Sequence, residues 1–445
     1  MTVHLNDTIF SLSSAPGRAG VSVFRVSGVA ARDVLSAIIK SKLPCPRQAS
    51  LKRLYNKDVM IDEALVLWMP SPNSFTGEDC AEFQVHGSPA VIEAMALALL
   101  ANGARQAEAG EFTRRAFENN KMDLTEAEGL ADLIDAETEG QRQQALRQMQ
   151  GGLKDTYNSW REILLDALAQ IEGEIDFPDE EDVPDMLSHR AYPYLTQVMD
   201  SMEAVLSDAC RGERIRAGLD IAIIGAPNAG KSSLLNNLAG REAAITSEQA
   251  GTTRDIVEVQ MTLGGLPVRL SDTAGLRETE EVIEAEGVKR AKARAVESDI
   301  RILVQESSNT VWDKETLSLL SCDDFVLINK ADLGGENNPP ALDAKCFEVS
   351  AITGLNLDVF RAALEKQVID KFSPSQDAGL TRARHRDCVQ RALKSLGMGR
   401  QNLGRAPELT GDDIRSALHA LKELSGEIDI ESVFDRIFSR FCVGK

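Results

Sequence analysis

Hydrophobic and polar positions change their period several times along the chain, and each change predicts a different kind of element. Up to about residue 118, short β-like runs at 21–26, 64–69 and 82–85 are separated by turn clusters such as Ser14-Ala15-Pro16-Gly17 and Pro70-Ser71-Pro72-Asn73. This texture predicts an α+β domain. From Asp123 to about Glu174 the apolar residues recur at helical intervals: Leu130, Ile134, Ala145 and Leu146, then Leu164, Leu165, Leu168 and Ile171. Thr125 with Glu128 three residues later predicts a capping box at the start, and Gly151-Gly152 is the one obvious break. A proline-bracketed acidic stretch, 177–184, ends the helices as a solvated connection, and another helical segment covers 191–211.

Between 219 and about 370 the pattern is different again. Apolar runs at 221–224, 268–270, 300–304, 325–328 and 346–349 alternate with helical stretches, the signature of a mainly parallel sheet wrapped by helices. Beyond Ser373-Pro374-Ser375 the chain is helical to about Phe441. The expected architecture is multidomain α/β: an N-terminal α+β domain over 1–120, a helical domain in two halves (121–215 and 375–445), and an α/β domain inserted between them at 216–374.

Composition narrows the picture. The 445 residues exceed one ordinary domain, and 43% hydrophobic with 27% charged residues describes a soluble globular chain. Residues 1–10 lack the basic run and apolar stretch of a signal peptide, and no apolar run approaches the roughly 18 residues of a membrane span. The seven cysteines lie far apart without a Cys-x-x-Cys pair, which argues against zinc and disulfides and for a reducing, cytoplasmic setting. Net charge is −20, whereas nucleic-acid binders usually present basic surfaces. Any RNA contact must then be local or supplied by a more basic partner.

The chemistry is concentrated in the inserted domain. Gly225-Ala226-Pro227-Asn228-Ala229-Gly230-Lys231-Ser232 follows the run 221–224 and opens a helix at Ser233, the context that makes G-x-x-x-x-G-K-[ST] a phosphate-binding loop. Its glycines allow N–H groups to converge on phosphate oxygens, and Lys231 is expected at the β- and γ-phosphates with the Ser232 hydroxyl on Mg²⁺. Asp272-Thr273-Ala274-Gly275 follows the next run, placing Asp272 to hold magnesium through water and Gly275 N–H to sense the γ-phosphate. Asn329-Lys330-Ala331-Asp332 follows 325–328. A carboxylate there accepts both N–H donors of guanine, which adenine does not offer, so Asp332 selects GTP. Ser350-Ala351 matches the short loop that donates to guanine O6. Between the first two motifs, Gly251-Thr252-Thr253-Arg254-Asp255 carries a threonine suited to completing the magnesium shell. Ras-like GTPases put a water-orienting glutamine after the Asp272 motif; this chain has Leu276. The catalytic polar group must come from elsewhere, with Arg277, Glu278, Glu280, Glu281 and Glu284 as nearby candidates.

These motifs, Leu276 and the terminal Phe441-Cys442-Val443-Gly444-Lys445 resemble the MnmE (TrmE) family of tRNA modification GTPases. The resemblance extends over Asp7-Thr8-Ile9, Pro16-Gly17-Arg18, Phe24-Arg25-Val26-Ser27-Gly28, residues 72–79, Gly110-Glu111-Phe112-Thr113, Lys121-Met122-Asp123-Leu124 and Ile175-Asp176-Phe177-Pro178. It implies GTP hydrolysis that requires potassium and proceeds when two G domains meet. It assigns potassium to Asn228, Ser247, Gln249 and Thr252, magnesium to Ser232 and Thr253, and the water-orienting role to Glu284. Nucleotide contacts carry over to Asn228, Ala229, Gly230, Lys231, Ser232 and Ser233, to Ser247, Glu248, Gln249, Ala250, Gly251, Thr252 and Thr253, to Asp272, Thr273, Ala274 and Gly275, and to Asn329, Lys330, Ala331, Asp332, Ser350 and Ala351. A potassium ion there does the electrostatic work of an arginine finger.

The resemblance further implies a homodimer whose N-terminal domain binds a 5-formyltetrahydrofolate-type one-carbon donor through Arg25, Glu82, Lys121 and Lys445. It makes Cys442 a functional thiol. The sequence itself offers His385 or the arginines 382, 384 and 386 as residues that could approach it in space, and those arginines as the local basic patch for RNA. The implied partner is an FAD-dependent protein, MnmG (GidA), in a heterotetramer or larger complex. Together they install an aminomethyl or carboxymethylaminomethyl group at the wobble uridine of certain tRNAs. The alternative from another class is a regulatory, RNA-binding or ribosome-assembly GTPase switch without modification chemistry. Two positions depart from the family pattern: Ser247 stands where threonine is frequent, and Ala107-Glu108-Ala109 where Arg-Pro is frequent.

Overall fold

The computed structural model describes residues 7–176, 187–240, 258–272, 294–335, 339–340, 343–372, 379–428, 437–438 and 441. They form two compact units, one of Met1–Ala131, Met149–Asn158 and Leu418–Lys445, the other of Asp132–Gln148 and Ser159–Ala417. An α+β N-terminal module, a set of helices and an inserted parallel-sheet module are all present, as the residue patterning predicts.

The first unit is built on a six-stranded sheet of order β3-β4-β5-β2-β1-β6. Its strands are β1 (Ile9–Leu12), β2 (Ala19–Ser27), β3 (Ser50–Asn56), β4 (Val59–Met69), β5 (Cys80–Gly87) and β6 (Arg105–Gln106). Alternation sends Phe24 and Val26 of β2, and Phe83 and Val85 of β5, to one face. They are buried there with Val34, Leu35 and Ile38 of the helix Ala31–Ile39 and Met95 and Leu99 of the helix Pro89–Ala101. Each such side chain contributes about 1.5–3 kcal/mol through burial. The opposite parity, Arg25 and Ser27 paired across β5 with Glu82 and Cys80, is left for polar chemistry.

The second unit carries a six-stranded sheet of order β12-β11-β10-β7-β9-β8. Its strands are β7 (Leu219–Ile224), β8 (Glu258–Leu263), β9 (Leu266–Asp272), β10 (Ile300–Glu306), β11 (Phe325–Asn329) and β12 (Lys345–Glu348). The centres of these strands, 221–224 of β7, 302–304 of β10 and 325–328 of β11, read as apolar runs because both faces are covered. Ile221, Ile223, Val304, Phe325 and Leu327 enter one cluster, and Ala222, Ile224, Leu303 and Val326 another on the other parity.

Three local features differ from the sequence expectation. The capping box is two residues earlier: Asp123 Oδ1 accepts from Glu126 N at 2.9 Å and Glu126 Oε2 accepts from Asp123 N at 2.7 Å, while Thr125 is buried inside the helix Leu124–Ile134. Gly151, at φ 89°, does separate the helices Glu139–Met149 and Gly152–Asp176, but a second break precedes Glu139. There Thr138 and Gln141 cap reciprocally, with Gln141 N on Thr138 Oγ1 at 3.3 Å and Thr138 N on Gln141 Oε1 at 3.2 Å. The third is β8, an antiparallel edge strand joined to β9 through Gly264 and Gly265. Both glycines have positive φ, 57° and 78°, the requirement of a two-residue type I′ hairpin.

Candidate functional site

Parallel strands carry their C-terminal ends to one edge of a sheet, and the nucleotide motifs issue from that edge. β7 leads into the loop 225–230, β9 ends on Asp272, β11 runs into Lys330, and β12 is followed by Ser350. Gly225 (φ 144°) and Gly230 (φ 96°) adopt conformations that favour glycine. A Cβ on Gly225 would lie 2.1 Å from Val304 O, and one on Gly230 would lie 2.1 Å from Asn329 Nδ2. The helix Lys231–Ala239 begins at Gly230 with no side-chain cap, which leaves its first N–H groups for an anion. Lys231, 4% exposed, donates from Nζ to Gly225 O at 2.9 Å and to Ala226 O at 2.7 Å. Asn228 (φ 61°), Ser232 and Ser233 are exposed at the loop and the helix start.

Asn329 ties the edge together. Its Nδ2 donates to Ala229 O at 2.8 Å and its Oδ1 accepts from Ala351 N at 2.9 Å, so one buried amide joins three motifs. Asn237 Nδ2 also reaches Ala351 O at 3.4 Å. The 330–334 turn is held from below by Ser307 Oγ, which donates to Lys330 O at 3.1 Å and Gly334 O at 3.2 Å. Ala331 N donates to Val349 O at 3.1 Å, and Lys330 Nζ pairs with Glu306 at 3.0 Å. Asp332 is exposed on this fixed turn, the disposition a base-reading carboxylate needs.

A second polar site lies on the N-terminal sheet. Arg25 and Glu82, cross-strand neighbours, form an ion pair at 2.9 Å, 22% and 18% exposed. The Arg25 guanidinium sits 5.1 Å from the Phe75 ring centroid and 5.9 Å from that of Phe112. Lys121 Nζ donates to Pro72 O at 2.8 Å, which brings it to the same 70–79 loop as Phe75. Just beyond, Asp123 accepts from Tyr157 Oη at 2.5 Å, and Lys154 Nζ donates to Glu126 at 2.9 Å. Burial, then the charge and hydrogen bond of Asp123, push the Tyr157 phenol up, so it stays a donor.

Comparison with known proteins decides the family. The model of the GTP-binding protein TrmE N-terminus matches residues 8–121, and that of the MnmE helical domain matches 124–442. The chain is 53% identical over 445 residues to the tRNA modification GTPase MnmE of Maricaulis maris, covering 99% of this chain and 100% of that one. Identity is 46% with the MnmE of Caulobacter vibrioides and 48% with that of Parvibaculum lavamentivorans, over 99% of this chain and 100% of each relative. The chain belongs to the MnmE family of tRNA modification GTPases.

Among the site residues that the MnmE resemblance implies, the structure gathers Ala229, Asn329 and Ala351 into direct contact, with Lys231 in the same loop. In the N-terminal module it joins Arg25 to Glu82, whereas the Lys121 ammonium bonds the 70–79 loop. Asp272 is described as the last residue of β9. Ser247, Glu248, Gln249, Ala250, Gly251, Thr252, Thr253, Thr273, Ala274, Gly275, Glu284, Cys442 and Lys445 lie outside the described residues, as does Leu276. Of the three arginines at 382, 384 and 386, Arg382 pairs with Asp132 at 2.7 Å and Arg386 with Glu213 at 3.0 Å. His385 is fully buried. Among the described residues no helix is long and apolar enough to cross a membrane, and no His, Cys, Asp and Glu cluster could hold a metal.

Sequence reasoning passed over one group in this MnmE module. Arg115 is fully buried and Glu111 is 3% exposed, with Asp7, Glu78 and Arg105 around them. Burial would raise the Glu111 and Asp7 carboxyls, but hydrogen bonds from Arg105 and Arg115 outweigh it and hold both below their ordinary values. The Glu111–Arg115 spacing, four residues on a helix, was the available signal.

Proposed function

We propose that the chain is a potassium-dependent GTP hydrolase. With an FAD-dependent partner of the MnmG (GidA) type, it would install an aminomethyl or carboxymethylaminomethyl group at the wobble uridine of certain tRNAs. The observation that carries this reading is that the chain has, besides the motif-bearing sheet edge, a half-buried Arg25–Glu82 pair flanked by the Phe75 and Phe112 rings. A GTPase switch needs the sheet edge of the inserted module, but it has no use for the Arg25–Glu82 pair flanked by Phe75 and Phe112.

In the nucleotide site the residues fit a triphosphate. The cradle at Gly225 and Gly230 is one that a Cβ would fill, and the helix behind it is uncapped. Lys231 meets the β- and γ-phosphates, Asp332 pairs with the guanine N–H edge, and Ser350-Ala351 serves O6. Ser232 and Thr253 would hold magnesium, and Asn228, Ser247, Gln249 and Thr252 potassium, which together offset charge on the transferring phosphoryl group. Glu284 orients the attacking water, the role that Leu276 cannot perform.

In the N-terminal site a 5-formyltetrahydrofolate-type donor suits the residues present. Since Glu82 is bonded to Arg25, the two side chains present a carboxylate and a guanidinium side by side, matching the donor and acceptor groups on a pterin edge. Lys121 and Lys445 are then left for the glutamate tail, and the one-carbon unit is what the donor supplies when bound. Segments 1–120, 121–215 with 375–445, and 216–374 divide the work among folate binding and dimerisation, the helical support with Cys442, and GTP. The setting is cytoplasmic and the assembly a homodimer joined by the partner. The pairing of Arg382 and Arg386 with carboxylates supports leaving much of the tRNA affinity to that partner. Nucleoside analysis of tRNA from cells lacking the chain tests the function: the wobble modification should disappear, and an unchanged wobble uridine would overturn it.

A further inference from the structure

The loop at 70–79 supplies Phe75 to Arg25 and Pro72 O to Lys121, yet its own anchorage is buried beneath it. Ser27, on the same strand face as Arg25, is fully buried, and so is Thr76. Ser27 Oγ lies 2.6 Å from Thr76 Oγ1 and donates to Glu78 Oε2 at 2.6 Å. Glu78 in turn accepts from Arg115 Nη1, 3.2 Å from either carboxylate oxygen. The same nitrogen donates to Asp7 O at 3.0 Å, and Arg115 Nη2 donates to Asp7 Oδ1 at 2.6 Å and Glu111 Oε1 at 3.0 Å. Asn119 Nδ2 closes the loop from the far side through Thr76 O at 2.7 Å. Phe112, the other ring against Arg25, sits on the helix Glu111–Glu118 that bears Arg115.

Burying a guanidinium with carboxylates is a poor route to stability, because the desolvation of each ion consumes most of the attraction. What such a group does well is select one arrangement, since any other leaves a charge unpaired in a low dielectric. Here the arrangement selected is that of the loop carrying Phe75 and touching Lys121. We propose that the buried Arg115 and Ser27, joined through the half-buried Glu78, form a positioning relay that sets the Arg25–Glu82–Lys121 site for its reduced-folate ligand. The inference rests on the one-carbon reading above. None of the three side chains has to touch the ligand; they act through Phe75 and the 70–79 backbone.

The test is binding of 5-formyltetrahydrofolate to the full chain by titration calorimetry, with thermal melting of each variant alongside. Ser27→Ala removes the hydroxyl that joins Thr76 to Glu78, takes one hydrogen bond from the Glu78 carboxylate, and leaves every charge in place without adding volume. It should weaken the probe about tenfold, the equivalent of one hydrogen bond to a charged group. Glu78→Gln keeps the shape but takes the charge from Arg115 and should weaken it at least as much. Arg25→Ala reports on the site itself, and Ser27→Ala added to Arg25→Ala should cost nothing further, because both act on the same contact. A purely structural role would lower the melting temperature and leave the Kd of the folded protein unchanged. Wild-type affinity in Ser27→Ala, or additive losses in the double variant, overturns the relay while the one-carbon reading survives. No binding by the wild-type chain, or wild-type binding by Arg25→Ala, overturns that reading and the relay with it.

Discussion

In the proposed nucleotide site, recognition would be divided between an exposed carboxylate, Asp332, and a buried amide, Asn329. Asn329 spends both ends of its amide on Ala229 O and Ala351 N, so it holds the loops at one separation. Asp332 is left exposed on the turn that Ser307 supports. The proposed nucleotide reading assigns guanine specificity to Asp332, because a carboxylate facing the wrong edge would be left unpaired. Asp332→Asn should weaken GTP binding by about 1.5–3 kcal/mol, the value of hydrogen bonds to a charged group. It should also shift preference to xanthosine triphosphate, which presents an acceptor where guanine has its amino donor. Competition binding with both nucleotides checks this, and unchanged GTP affinity would count against the assignment.

Among the helices, the start of Leu124–Ile134 carries more than its own cap. Asp123 accepts from Glu126 N, from Thr125 Oγ1 at 2.8 Å and from Tyr157 Oη, so one carboxylate joins this helix to the start of Gly152–Asp176. Removing a cap costs about 0.5–2 kcal/mol, and stranding a buried phenol adds about 1–3 kcal/mol. Asp123→Ala should therefore destabilise the chain by about 2–4 kcal/mol. Asp123→Asn should cost less, because its amide oxygen still caps. Chemical denaturation of both variants measures the difference, and equal losses would remove the cap from the account.

For the whole protein, two responses to solution conditions follow from charge. In the N-terminal module the Asp7 and Glu111 carboxyls are held below their ordinary values. Their contribution is fully present above the unfolded carboxylate range of about 4 and is lost as pH falls through the lower folded values. Melting temperature should accordingly fall steeply below about pH 4, and Glu111→Gln should flatten that slope while lowering stability at neutral pH. A slope unaltered in the variant would show that other carboxyls govern acid unfolding. In the nucleotide module, the proposed potassium site predicts that GTP turnover per chain rises with protein concentration in potassium and stays low in sodium. Turnover equal in the two salts would remove Asn228 from the ion site.

The nucleotide motifs were legible in the chain because each packs its chemistry into a few consecutive residues at the end of an apolar run. Parallel strands buried on both faces advertise themselves, and β7, β10 and β11 lay where the runs predicted them. β8 is an edge strand with one exposed side, so only Gly264-Gly265 marked it. The capping box had two overlapping frames, Asp123–Glu126 and Thr125–Glu128; Tyr157 and Lys154, brought in from another helix, favour the first. Local order alone does not separate such frames. Arg115 is the clearest case of tertiary control: its partners Asp7 and Glu78 are 108 and 37 residues away. On the chain it is one more charge on an amphipathic helix. Burial, which depends on every layer of the fold at once, makes it the centre of an ionic group beside the Arg25–Glu82 pair.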